Sequence, residues 1–473
     1  MKFHASLSYA PYRPPFFRSP ELYINRVVPS ETGIHLEWLA GNDNAYKDAC
    51  VFYRVRGTDA WQSAQTVVHE PDSGSAAADI TGLCADTDYE FYVETAGKTS
   101  CVRLARTGKA GFGTVVNYLH PDDLAYSFSG RYLCSPSLVR LPDGALAASM
   151  DLFAGGYPQN LTLVYRSEDD GKSWHYACEL FPCFWGKLFV YEEKLYMLAC
   201  TTEYGDLIIA ESEDGGRSFG APVTLLRGGG GKNGEPGVHK NPQPLVEYAG
   251  RLWGTLEWGS WGRNYHAAMV MSAPLGSNLL CPESWTFSEP VKYDKTWPGV
   301  PEGESSGMIE GSLTVAPDGG LYNIMRYDMS RLTPGYGLAL VFRVDEKHPD
   351  APLTFARTMA FDANHAKFTI RYDEPSGCYI TLADRITGPE SAHSRNLLSL
   401  MYSRDLVVWK TALDVIDRRE CDPAKVGFQY VDFFVEGEDI RYLCRTAVCG
   451  AANFHDSNYS VYAEIKNFRR YLV

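Results

Sequence analysis

The sequence predicts an all-β chain, and three observations carry that prediction. Aromatic residues make up 13%, with 43 Gly and 27 Pro, a composition suited to short strands and tight turns rather than long helices. Runs of alternating apolar and polar residues recur between turn signals. One strand-turn-strand phrase also returns along most of the chain at intervals of about 50 to 70 residues. At 473 residues the chain has room for more than one domain and a large core.

Bulk charge narrows the partners. With 44 Lys and Arg against 58 Asp and Glu, the formal net charge is −14, and no basic run interrupts it. Nucleic acid and anionic membranes are therefore poor partners, and an anionic substrate would need arginines concentrated locally. The N-terminal extension, 1–19, lacks the apolar core of a signal peptide, because His4, Ser6, Ser8 and its prolines break every run. The 12 Cys are scattered without Cys-x-x-Cys pairs, which fits reduced thiols and a cytoplasmic protein better than a disulfide frame or a zinc site. No metal or other cofactor is expected.

Residues 20–107 read as a small β-sandwich. "GIHLEW", "CVFYRVRG" and "YEFYVETA" are alternating strands, and Leu83 stands six residues before Tyr89. That spacing resembles the tyrosine corner of a fibronectin type III domain, with Trp38 as the core indole. The resemblance implies a structural role for Tyr89.

Residues 108–473 carry the recurring phrase: "SPSLVRLPDGALAAS", "GKLFVYEEKLYMLAC", "NPQPLVEYAGRLWGT", "EGSLTVAPDGGLYNI", "KFTIRYDEPSGCYIT" and "YVDFFVEGEDIRYLC". A strand-only repeat of this period predicts a β-propeller, and six copies predict six blades. In a propeller the ends of each innermost strand converge on the axial mouth, so those ends are where functional residues belong. Glu310 and Arg326 sit at the two legs of the fourth phrase, charged ends on an apolar hairpin. Charges there need a polar cleft.

"SEDDGKSW" (167–174) and "SEDGGRSF" (212–219) share Ser-x-Asp-x-Gly-x-Ser-aromatic, and "SRDLVVW" (403–409) is a degenerate third. Asp169 and Asp214 are suited to bond turn amides, while Gly171 and Gly216 permit positive φ. These segments resemble the Asp-box of sialidase-like propellers, which places both aspartates on outer turns as folding devices. The resemblance extends to the site. Sialidases carry a Glu sixteen residues before an Arg on one hairpin, an Arg opening a later strand, and then a Tyr-x-Asp. Glu310 and Arg326 stand at that spacing, followed by Arg395 and by Tyr430 with Asp432.

The resemblance implies that Tyr430 attacks the anomeric carbon, Glu310 takes its proton, and Arg326, Arg395 and Asp432 belong to substrate binding. A phenol is a weak nucleophile without a nearby base, and a guanidinium fork matches a carboxylate. The chain departs from the family in its first blade. Cys134, Ser135 and Pro136 replace an Arg-Ile-Pro, and Phe153 stands where a second Arg is expected. No Asp follows it, and Asp151 just before it is a candidate acid whose direction the sequence leaves open.

A replacement acid is sought in the third phrase, where His239, Lys240 and Asn241 lead and Glu257 trails. Glu257 or His239 would protonate a leaving oxygen, Asn241 would bind substrate, and Trp258 beside Trp261 offers a flat face to a sugar. Structurally, His239 could cap a turn and Glu257 pair with Arg263. His365, Lys367, Arg385 and Arg445 end other strands and are open to either a site or an inter-blade ion pair. His455 and Asp456 more often tie a loop than hold a metal. "RGGGGKNGEPG" (227–237) lacks the context of a phosphate loop and reads as a rim loop.

The expected function is an exo-acting glycoside hydrolase of the sialidase-like superfamily, releasing a terminal acidic sugar from an oligosaccharide, and unlike an ordinary sialidase in its first blade. Two competitors are a uronate-directed polysaccharide or oligosaccharide lyase and a non-catalytic glycan-binding propeller.

Overall fold

The computed structural model describes residues 22–39, 49–64, 67–70, 75–95, 97–229 and 235–472. The N-terminal extension and the middle of the expected rim loop, 230–234, lie outside the described residues. The described chain is all-β, its strands joined by turns and a few short 3-10 turns, and its strands form eight sheets.

Two of these sheets face each other across the first 107 residues. One orders Tyr23–Ser30, Gly33–Leu39, Ser75–Thr81 and Val67–Glu70, and the other is built around Cys50–Val55 and Asp88–Thr95. Alternation puts Leu36, Trp38, Val51, Phe91 and Val93 inside, all fully buried. Each such side chain contributes about 1.5–3 kcal/mol of burial energy. The Tyr89 hydroxyl accepts the Cys84 N–H at 2.9 Å, pinning the turn before its strand.

The other six sheets follow one another in sequence. Their leading strands begin at Tyr132, Phe184, Gly237, Met308, Ile370 and Gly427. The sheets touch in order, and the sixth also packs on the first, so the series closes into a ring. Thr114–Tyr118, which precedes the first ring sheet in sequence, pairs with Tyr459–Ile465 as the outer strand of the sixth. That pairing ties the two ends of the ring region together.

The outer turns are held locally. Asp169 accepts from the Ser167 and Ser173 hydroxyls and the Ser173 N–H, and Asp214 repeats the pattern with Ser212 and Ser218. Asp405 accepts the Val407 and Val408 amides in the third copy. Trp174 and Phe219 are buried at the ends of the first two.

The small sandwich docks on the ring through buried polar groups. Arg103 pairs with Asp123 at 2.7 Å, and Arg26 donates to Val116 O at 2.8 Å while holding Glu37. Tyr165 donates to Asn25 O at 3.1 Å. All 12 cysteines are free thiols.

Candidate active site

One cavity of about 510 Å³ opens at the ring axis, and every ring sheet or the loop beside it contributes to its wall. The local backbone explains how. Ser135, Trp185, Glu310 and Tyr430 all line it, and all have left-handed φ, at 48°, 54°, 59° and 57°. Each stands at a register shift in the leading strand of its sheet: Cys134/Ser137, Phe184/Lys187, Ile309/Gly311 and Gln429/Asp432. A bulge residue in that conformation is turned out of the strand's alternation, at a cost of about 1–3 kcal/mol. Four sheets thus aim one side chain each into the same space. Next to Glu310, a Cβ at 311 would stand 2.2 Å from Asn323 Oδ1, so any residue larger than glycine there would displace that side chain.

At the centre, Tyr430 donates its hydroxyl hydrogen to Glu310 Oε1 at 2.6 Å. Arg326 Nη1 reaches Glu310 Oε2 at 2.6 Å and the Tyr430 oxygen at 3.3 Å. Burial, with the Glu310 charge beside it, pushes the Tyr430 hydroxyl up to about 12 against the pull of Arg326, Arg395 and Arg445. Burial opposes charge on Glu310, but Arg326 and the hydrogen bonds it receives hold that carboxyl below the usual range. At neutral pH the pair is therefore a carboxylate and an un-ionised phenol.

Three guanidinium groups line the same cavity: Arg326, Arg395 and Arg445. Arg395 and Arg445 lie 5.9 and 5.0 Å from the centre of the Tyr430 ring. Gln429 Oε1 and His365 O fix Arg395, and His455 O fixes Arg445. Burial and the neighbouring Arg326 bring Arg395 down to about 10, although the Tyr430 oxygen favours its charge. In a chain of net charge −14, this is a local concentration of positive charge.

His239 also lines the cavity, and Glu257 stands behind it with Oε2 2.7 Å from Nδ1. Glu257 Oε1 accepts the Gly311 N–H at 3.1 Å, which links His239 to the Glu310 bulge. Trp185, Tyr204 and His266 pack about the His239 ring at 4.2, 6.0 and 5.0 Å between ring centres.

Several expected site residues stand outside this wall. Glu257 is completely buried and serves His239, so it does not reach a substrate. Asp151 is buried too. Its carboxylate accepts the Trp185 N–H at 2.6 Å and the Thr162 hydroxyl, and burial pushes it up to about 7. Its place is to hold the Trp185 bulge. Asp432 lies beyond the Tyr430 bulge, where it accepts the Leu138 N–H at 2.8 Å and pairs with Lys187. Arg385 grips Asp414 with both contacts at 2.8 Å. Asn241 is buried away from the wall, and Trp258 packs into the apolar cluster of the second and third ring sheets. The indole on the rim is Trp261, 49% exposed.

Sequence reasoning missed Trp185, Gln159, Glu203 and Tyr204, which complete the wall on the side of the first two ring sheets. Glu203 stands three residues after the second phrase, at its trailing end, a position searched in the other phrases. Among the described residues, no group of three or more His, Cys, Asp or Glu is placed to hold a metal ion.

No protein-family model matches the chain, and no curated protein matches it. Among solved structures it is similar to an alpha-L-arabinanase of Penicillium chrysogenum complexed with arabinobiose, at 14% identity and a TM-score of 0.47, covering 75% of this chain and 98% of that one. It is similar to the GH93 alpha-L-arabinofuranosidase of Fusarium graminearum with arabinobiose, at 12% identity and a TM-score of 0.49, with the same coverage. An endo-arabinase from Bacteroides thetaiotaomicron is 13% identical with a TM-score of 0.37, covering 59% of this chain and 93% of that one. At these values the likeness assigns no activity to this chain.

Proposed function

We propose that the chain is a retaining, exo-acting glycoside hydrolase that releases a terminal carboxylate-bearing sugar from an oligosaccharide. In this reading the ring is a six-bladed, sialidase-like propeller over residues 108–473, preceded by a fibronectin type III-like sandwich over 20–107. The single observation that carries it is the 2.6 Å contact between the Tyr430 hydroxyl and Glu310, with Arg326 bound to both oxygens. A non-catalytic glycan-binding role would leave a strained Tyr–Glu pair at the cavity wall with no task.

Tyr430 is the nucleophile, and Glu310 takes its proton as the oxygen attacks the anomeric carbon. A neutral phenol approaches an anionic sugar without the repulsion that a carboxylate nucleophile would meet. Arg326, Arg395 and Arg445 bind the sugar carboxylate, and Arg445 supplies the third cation that Cys134 and Phe153 do not. His239, oriented by Glu257, faces the sugar as a hydrogen-bonding wall. No bound cofactor is needed for these steps.

The test is hydrolysis of 4-nitrophenyl glycosides of uronic and sialic acids by wild type, Tyr430→Phe and Arg445→Gln. The reading predicts release of nitrophenol by wild type, loss of at least about a thousandfold in kcat for Tyr430→Phe, and a raised KM for Arg445→Gln. An unsaturated uronate among the products would favour the lyase. Full activity in Tyr430→Phe would end the proposal.

A further inference from the structure

The ring has a second mouth that the Tyr430–Glu310 site does not use. Glu310 and Tyr430 stand near the beginnings of Met308–Val315 and Gly427–Glu436. Leu313 and Phe434, further along the same strands, are about 10–13 Å away at a rise of about 3.3 Å per residue. There the strands line a separate cavity of about 630 Å³, together with parts of the third and fifth ring sheets. Leu245, Leu313, Ile370 and Phe434 give it an apolar wall from four sheets. Its size is that of a small-molecule site.

Arg371, in the leading strand Ile370–Asp373 of the fifth ring sheet, is the only charged side chain on this wall among the described residues. Its Nε is buried without a partner, and its guanidinium carbon lies 5.6 Å from the centre of the Phe433 ring. Burial works against its charge, and the carboxylate that favours it is Asp432. That carboxylate already pairs with Lys187, accepts the Leu138 N–H at 2.8 Å, and also faces Lys367. The cations at this end of the axis therefore outnumber the carboxylate they share, and Arg371 is the one that borders the open cavity. An anion arriving from outside would meet a guanidinium fork that no protein group fills.

The wall beside Arg371 is aromatic. Tyr372 is 54% exposed, and its ring centre lies 4.9 Å from that of Tyr379. The Tyr379 hydroxyl donates to Val315 O at 2.8 Å, which fixes the inner ring of the pair. Both tyrosines line the cavity. Such rings offer a flat apolar face, and the Tyr372 hydroxyl adds a polar edge.

We propose that this second mouth is a non-catalytic binding site for an acidic sugar unit. Arg371 binds the sugar carboxylate through its guanidinium, and Tyr372 with Tyr379 receives the C–H face of the ring. A carboxylate alone would leave the tyrosine pair unused, and a neutral sugar would leave the guanidinium unfilled. The site shares no residue with the Tyr430–Glu310 cavity and does not rest on the hydrolase reading.

The experiment is calorimetric titration of wild type, Arg371→Gln and Tyr372→Ala with free glucuronic, galacturonic and N-acetylneuraminic acids, with glucose and acetate as comparisons. For at least one acidic sugar, Arg371→Gln is expected to weaken one class of site by about 10- to 100-fold, the loss of a charged hydrogen bond. Tyr372→Ala, which changes an exposed side chain, is expected to weaken the same class several-fold with the fold intact. Glucose and acetate should not occupy that class. Kinetic constants on 4-nitrophenyl glycosides should be the same in Tyr372→Ala as in wild type, so a failure of the catalytic reading leaves this test standing. Identical isotherms in wild type and Tyr372→Ala, acetate binding as tightly as the sugar acids, or no binding of any acidic sugar outside the Tyr430–Glu310 cavity would overturn the proposal.

Discussion

Replacing Glu310 by glutamine removes the base and keeps the shape of the site. The Tyr430 hydroxyl, pushed up to about 12, would be ionised in only about one part in 10⁵ at pH 7, an uphill step of about 7 kcal/mol if it preceded attack. A carboxylate at 2.6 Å removes the proton as the bond forms and so avoids part of that cost. General-base assistance is worth about 10² to 10⁴ in rate, or about 3–5 kcal/mol. Glu310→Gln should therefore lower kcat on 4-nitrophenyl glycosides by that factor, with the amide oxygen still accepting from Arg326. Its residual rate should climb about tenfold per pH unit on the alkaline side, because hydroxide must now do the work of the base. Wild type should instead fall at acid pH, where Glu310 becomes protonated below the usual carboxylate range. A folded Glu310→Gln enzyme with wild-type kcat and an unchanged pH profile would refute the reasoning.

Other substitutions separate site from scaffold. Arg445→Gln should raise KM by about 10- to 100-fold, the loss of a charged hydrogen bond, whereas Arg385→Ala, which frees Asp414 and the Ser399 hydroxyl, should leave KM unchanged in the same nitrophenol assay. Asp432→Asn removes the carboxylate that faces Lys187, Lys367 and Arg371 together, and should cost about 3–5 kcal/mol in urea unfolding. Although burial opposes its charge, those cations hold Asp432 below its ordinary value. Its contribution is therefore present above about pH 4 and is lost as pH falls through the folded value, a slope absent in Asp432→Asn. Tyr89→Phe leaves the Cys84 N–H without its acceptor and should cost about 1 kcal/mol in the same unfolding measurement, with kcat unchanged.

The sheets were legible because their signals are local. Period-two alternation, Pro-Asp-Gly turns and the Ser-x-Asp-x-Gly-x-Ser segments each act within a few residues, and the ring sheets repeat them. Glu310, Arg326, Arg395 and Tyr430 were legible because they keep a recognisable order along the chain. Asp432 was misplaced because a bulge changes which way the neighbouring residues point, and the direction of Asp151, open in the sequence, is set by the Trp185 N–H that donates to its carboxylate. Tyr430 turns into the cavity, and Asp432, two residues on, goes to Lys187 instead. Glu257 was read as reaching the substrate because strand ends converge, but it is completely buried behind His239, bonded to that ring and to the Gly311 N–H. Arg385 and Arg445 look alike in sequence, and only the carboxylates of neighbouring strands tell them apart. Asp414 captures the first, while the second has the His455 carbonyl and an open wall.

The most direct test of the central claim is to trap the covalent intermediate. A fluorinated glycosyl fluoride of the acidic sugar released in the nitrophenyl assay should slow breakdown of the glycosyl enzyme, and digestion with mass spectrometry would locate the sugar. The account predicts one adduct on the peptide containing Tyr430, absent in Tyr430→Phe, with turnover giving product of retained anomeric configuration. An adduct on a carboxylate, or turnover with inverted configuration and no adduct, would contradict it.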